Sequence, residues 1–91
     1  MEINKLQLLI LSILDDMGAT TPGTGMTIRE ITEEVNKSDD KQFTERTVRK
    51  KVLNLIGREY MAHKIKSGKA NLYYITAKGK EIKGVLLRDD E

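Results

Sequence analysis

Arg46, Arg49, Lys50 and Asn54 recur at i, i+3, i+4 and i+8 within residues 44–56, with Thr47 among them. Guanidinium and amide groups present paired hydrogen-bond donors in fixed geometry, and an ammonium is a mobile point charge. Donor pairs of this kind fit guanine O6 and N7, an asparagine fits the N6/N7 edge of adenine, and all the cations fit phosphate. The wider setting is basic as well. From Lys41 to Lys80 there are eleven basic residues against two acidic ones, Glu45 and Glu59. Residues 1–40 carry three basic and eight acidic residues, and residues 81–91 carry two and four. The formal net charge of +2 therefore hides a strongly basic stretch in a mildly acidic chain. That asymmetry points to a polyanionic partner, most simply nucleic acid, against the plainer reading of a solvated lysine-rich surface.

Other chemistries find little support. There is no cysteine, hence no thiol nucleophile, disulfide or cysteine-based metal site. His63 is the only histidine and reads as an ordinary strand residue, so no metal and no cofactor are expected. The loop Gly18–Gly25 is glycine-rich but lacks the Gly-Lys-Thr/Ser ending of a nucleotide-binding P-loop. No serine, histidine and acid set or carboxylate pair stands out, and the chain reads as non-enzymatic. Its 91 residues are expected to form one domain, 1–91, with one modest core. Nothing reads as a signal peptide, and the apolar run Leu8–Leu11 is far too short to cross a bilayer. A cytoplasmic protein with no membrane contact is the expectation.

The elements that must position the basic residues follow from periodicity. Ile3, Leu6, Ile10, Ile13, Leu14 and Met17 form one stripe of a helix over about 3–17, with Gly18 placed to end it. Leu8 and Leu11 lie on the other side, so this helix is either sandwiched within its own domain or shared with a partner. Thr27 and Glu30 spell a capping box for a helix over about 28–36, with Met26 and Ile31 as its hydrophobic staple. Thr44 caps a third helix to about Ile56, stapled by Phe43 and Val48, with Gly57 as stop. Val48, Val52, Leu55 and Ile56 make its buried face; the opposite face is the basic one, on which Leu53 is a misfit. Tyr60–Thr76 reads as a hairpin with a basic tip, Ser67-Gly68-Lys69-Ala70, and the alternation predicts Tyr73 and Ile75 inside. Thr76 can cap a last helix over about 77–88, which Gly79 and Gly84 weaken by about 1 kcal/mol each relative to alanine.

The expected class is thus α+β, mostly helical: three helices, a hairpin and a fourth helix. This order resembles the winged helix-turn-helix family of transcription regulators over about residues 6–87. The resemblance is carried by Thr27-Ile28-Arg29-Glu30-Ile31 followed by Thr44-Glu45-Arg46-Thr47-Val48-Arg49-Lys50-Lys51-Val52, and by Leu72-Tyr73-Tyr74-Ile75-Thr76-Ala77-Lys78-Gly79. The Tyr-Tyr-x-Thr-x-x-Gly pattern is common in regulators of the multiple-antibiotic-resistance and phenolic-acid-decarboxylase repressor types. The connection over 37–43 departs from the family in being longer than its usual tight turn. The resemblance implies double-stranded DNA as partner, with the third helix in the major groove. Arg46, Thr47 and Lys50 would then sit deepest, with Arg49 and Asn54 beside them. Lys64, Lys66 and Lys69 on the wing would meet phosphates or the minor groove, and Lys41, Gln42 and Thr44 would donate to phosphate. Thr27 and Arg29 are weaker candidates for a flanking phosphate.

A repressor acting as a homodimer is the expected form, with Leu8 and Leu11 on the first helix and Val85 and Leu87 on the last as the dimer surface. Two alternatives stand beside it. One is a winged-helix module that binds protein. The other is a DNA-binding protein controlling replication or partition of a mobile element.

Overall fold

Helix α1, Lys5–Asp16, starts where Asn4 and Gln7 cap one another. In this computed structural model, which describes residues 3–65 and 71–88, the Asn4 side chain accepts from the Gln7 backbone N–H at 2.9 Å, and the Gln7 side chain accepts from the Asn4 N–H at 3.0 Å. This is a capping box that starts the helix two residues later than its apolar stripe suggests. The helix ends in a Schellman turn: Ala19 N–H reaches the Leu14 carbonyl, Gly18 N–H reaches Asp15, and Gly18 takes φ +77°. Met17, expected inside, lies at this turn and is exposed.

The chain then makes a short 3-10 turn at Pro22–Thr24 and enters α2, Ile28–Ser38. Its Thr27–Glu30 capping box forms as the sequence predicts, at 2.9 and 3.1 Å. Met26 does more than staple this helix. It exchanges two 2.8 Å backbone hydrogen bonds with Tyr73 and so adds a third, one-residue rung to the sheet.

Helix α3, Glu45–Gly57, is capped by Thr44. Gly57 is its last residue, but the Schellman turn that ends it centres two residues further on, with Tyr60 N–H on the Leu55 carbonyl and Glu59 N–H on Ile56. Glu59, with φ +68°, takes the left-handed position that glycine favours. Strand β1, Met61–Ile65, pairs antiparallel with β2, Asn71–Ile75, in the register Met61↔Ile75 through Ile65↔Asn71. The expected hairpin tip, with Lys66 and Lys69, lies outside the described residues.

Helix α4, Ala77–Arg88, is anchored by one hydroxyl: Thr76 Oγ1 donates to the Glu59 carbonyl at 2.7 Å and accepts from Gly79 N–H at 3.0 Å. Gly79 is there for space. A Cβ on it would collide with the Tyr60 carbonyl oxygen and come within 2.8 Å of Ile75 Cγ1, whereas one on Gly84 meets only Arg88, at 3.9 Å. Lys83 of α4 also pairs with Asp15 of α1 at 2.7 Å.

The core gathers Ile10, Leu11 and Leu14 of α1, Ile31 and Val35 of α2, Val48, Val52 and Leu55 of α3, with Met61 and Ile75 of the sheet. Helix α1 touches α2, α3, α4 and β2. That resolves its two-sided apolar pattern. Leu11 is fully buried and so does not belong to an open dimer surface as the sequence suggested, while Leu8 is half-buried against the core. Val85 and Leu87 are exposed. None of the described helices is long and apolar enough to cross a membrane.

The two α4 glycines are expected to behave oppositely. Gly79→Ala should lower stability by about 1–3 kcal/mol through overpacking, and Gly84→Ala should raise it by up to about 1 kcal/mol through helix propensity. Urea denaturation of both variants is the check; equal effects would contradict the assigned roles.

Candidate nucleic-acid interface

The basic face is aimed by its opposite side. At about 100° per residue, burying Val48, Val52 and Leu55 turns Arg46, Lys50 and Leu53 outward, with Arg49 on one flank and Lys51 on the other. Arg46, Arg49 and Lys50 are exposed, and Thr47 is half-buried.

Two devices set where this helix begins. Thr44 Oγ1 accepts from Thr47 N–H at 3.2 Å, and Phe43 packs onto the core beside Val48. Ahead of them the long 37–43 connection is tied back by one side chain. Asn36 Nδ2 donates to the Phe43 carbonyl at 3.0 Å while its Oδ1 accepts from Phe43 N–H at 2.8 Å. The amide copies a backbone ladder pair and does the work of a tight turn. Gln42 adds a 3.3 Å donation to the Asn36 carbonyl, and the Lys41 ammonium lies 5.9 Å from the Phe43 ring centroid.

Electrostatically α3 differs from the other helices in how many unpaired cations it gathers: Lys5 of α1 and Lys80 and Arg88 of α4 also make no ion pair among the described residues, but they are scattered. Arg29 and Lys37 of α2 are paired with Glu33 and Glu34, and Lys78 and Lys83 of α4 with Glu59 and Asp15. Arg46, Arg49, Lys50 and Lys51 make no ion pair among the described residues. Between α3, the start of α2 and β2 lies a hollow of ≈ 460 Å³ lined by Thr27, Arg29, Glu45, Arg49, Asn71 and Tyr73. Lys64 of β1 is exposed. No group of three or more histidine, cysteine or acidic side chains suited to a metal ion occurs among the described residues.

No family model and no curated protein sequence matches the chain. Solved structures do. RosR of H. salinarum superposes with a TM-score of 0.79 at 14% identity, over 94% of this chain and 72% of that one. MepR, a transcription regulator of the Staphylococcus aureus multidrug efflux pump MepA, superposes with a TM-score of 0.76 at 16% identity, over 94% of this chain and 56% of its own. BpsR of Bordetella bronchiseptica, whose DNA binding is regulated by 6-hydroxynicotinic acid, gives 0.74 at 16%, over 94% and 53%. The fold is the winged helix.

In winged-helix terms α3 is the second helix of the helix-turn-helix, and β1 and β2 form the stem of the wing. The structure brings Lys41, Gln42, Thr44, Arg46, Thr47, Arg49 and Lys50 onto α3 and the approach to it, and Lys64 onto the stem. Asn54 is also on α3, but its Oδ1 accepts from Gln7 Nε2 at 2.9 Å and from Arg58 Nε at 3.1 Å. That oxygen is the atom that would accept from adenine N6, and in the unbound chain it joins α3 to α1. Lys66 and Lys69 are outside the described residues.

Sequence reasoning missed Asn36 and Gln7. Gln7 is buried, and its amide spans from α1 to Asn54. The Asn4-x-x-Gln7 spacing was a readable capping signal; nothing local announces that Gln7 also crosses to α3, or that Asn36 clamps Phe43 seven residues on.

Replacing Asn36 with alanine removes two half-buried hydrogen bonds and should cost about 1–3 kcal/mol. If the clamp sets the pose of α3, DNA affinity falls further than the wild type's does when it is destabilised equally at Gly79, and parallel titrations of the two variants measure that difference.

Proposed function

We propose that this chain is a sequence-specific double-stranded DNA-binding protein that regulates transcription, as a repressor, with α3 in the major groove. The observation that carries the reading is the outward row of cations on α3, clustered on one exposed face with no acidic partner among the described residues, whereas both cations of α2 and two of the four on α4 are paired. Unpaired cations at the mouth of a rigid helix are suited to replacing counterions on phosphate and to meeting base edges. That MepR, which shares the fold, is a transcription regulator supports it further.

Arg46 and Arg49 supply paired donors to guanine, and Lys50 a mobile one. Leu53, 54% exposed among them, suits a thymine methyl. Thr44, Lys41 and Gln42 meet phosphate beside the start of α3, and Lys64, Lys66 and Lys69 meet the backbone or minor groove from the wing. One module of this size buries roughly 600–1,000 Å² of its surface on DNA. A homodimer that doubles this contact is therefore part of the proposal, its surface on α4 at the exposed Val85 and Leu87.

Selection from a randomised duplex pool at two salt concentrations tests the function. Enrichment of a short motif, palindromic for a dimer, is expected. Salt-sensitive retention without a motif would leave a non-specific binder, and no retention at low salt would favour a protein-binding module. On the enriched site Arg46→Ala should cost about 1–3 kcal/mol and relax base preference, and Lys64→Ala should weaken all sequences alike and lower the salt slope by about one. Light scattering at tens of micromolar should give twice the chain mass; a monomer would remove the dimer from the proposal.

A further inference from the structure

An asparagine side chain reads a base according to which end of its amide faces the groove. Free to turn, it offers one donor and one acceptor and fits the N6/N7 edge of adenine. Fixed with its nitrogen outward, it offers two N–H donors and no acceptor. Asn54 is exposed on α3, one turn beyond Lys50 and about 40° around the helix from it. A relay of amides fixes which end it presents.

The relay starts at a backbone N–H, which can only donate. Asn4 N–H meets the Gln7 side chain at 3.0 Å, so the Gln7 atom there is its oxygen. The other end of that amide, Nε2, points to two acceptors of α3: it lies 3.5 Å from the Lys51 carbonyl oxygen and 2.9 Å from Asn54. A donating nitrogen needs an oxygen opposite it, so Asn54 turns Oδ1 toward α1. The same Oδ1 accepts from Arg58 Nε at 3.1 Å, which engages its second lone pair. Gln7 is only 4% exposed, so turning the Asn54 amide round would leave a buried donor with nothing but the long Lys51 contact. Nδ2 is thereby held as the end that faces away from α1.

We propose that Asn54 is a donor-only reader that selects guanine, whose O6 and N7 are both acceptors, and that Gln7 is the positioning residue that fixes this choice. Adenine sets its N6 amino group against those donors, and cytosine its N4 amino group, so both are disfavoured. The inference rests on α3 lying in the major groove and deepens that reading, because it assigns the identity of one base pair to a buried residue of α1.

The test is selection from the randomised duplex pool with the unaltered chain and three variants, each checked for fold by circular dichroism. Asn54→Ala is expected to erase the preference at one base pair of the motif. In the unaltered chain's site that pair is G·C, bound roughly tenfold better than A·T. Asn54→Asp keeps one oxygen toward Gln7 and sets a second one outward, an acceptor suited to cytosine N4, so the selected pair turns round from G·C to C·G. Gln7→Met frees the amide to turn, and A·T is then bound nearly as well as G·C at that position alone. Should Gln7→Met not fold, the two Asn54 variants, which change only an exposed side chain, still decide the reading. An A·T pair at the Asn54 position of the unaltered chain's site would overturn it, as would an Asn54→Asp motif with the pair unturned. A folded Gln7→Met with an unchanged motif would overturn the positioning role. If Arg46→Ala relaxes the motif while Asn54→Ala changes no position, this inference fails and the groove reading stands; if Arg46→Ala leaves the motif intact, both fail.

Discussion

Everything in this fold is placed by the burial of α1 on both sides. Ile10, Leu11 and Leu14 are fully buried, and the helix touches α2, α3, α4 and the inner strand. Full burial of each such side chain is worth about 1.5–3 kcal/mol, so these three residues alone outweigh any single polar contact in the molecule. Two polar links then fix the helix at its ends: Gln7 to Asn54 of α3, and Asp15 to Lys83 of α4. The apolar contacts decide that the helices meet, and the directional hydrogen bonds decide their register.

That arrangement leaves α3 with one face committed and one free. Val48, Val52 and Leu55 hold the helix down, and the same 3.6-residue period lifts Arg46 and Lys50 away from the protein. Clustered cations without acidic partners repel one another and cost some stability; salt screens that repulsion over about 10 Å at 0.1 M ionic strength. A polyanion removes it altogether. The charge pattern is thus mildly unfavourable in the free protein and would become favourable against a polyanion, in keeping with the DNA-binding role proposed for α3.

The junction at Thr76 shows how the wing is joined to the rest. Its hydroxyl links the carbonyl that follows α3 to the first turn of α4, while the absent side chain of Gly79 lets α4 close onto Tyr60. Met26 pairs with the other edge of β2, so the strand is bonded on both sides. A two-stranded ribbon alone would be marginal; flanked in this way, β2 becomes the inner strand of a small sheet, and Tyr73 and Ile75 turn inward as their alternation predicts.

What the sequence by itself determined were features controlled by neighbours in the chain. The Thr27 and Thr44 caps, the Phe43 and Met26 staples, the inward Tyr73 and Ile75 and the outward basic side of α3 all rest on interactions within five residues or on a fixed period. The tertiary structure decided the rest, because those outcomes depend on groups far apart in sequence. Leu11 was ambiguous until α1 was enclosed. Gly79 read as a weakness until Tyr60 was packed beneath it. The link from Asn54 to Gln7, forty-seven residues away, has no local signal at all. Periodicity says which side of a helix is free of the core; only packing says which of the polar groups there are still free to bind something else.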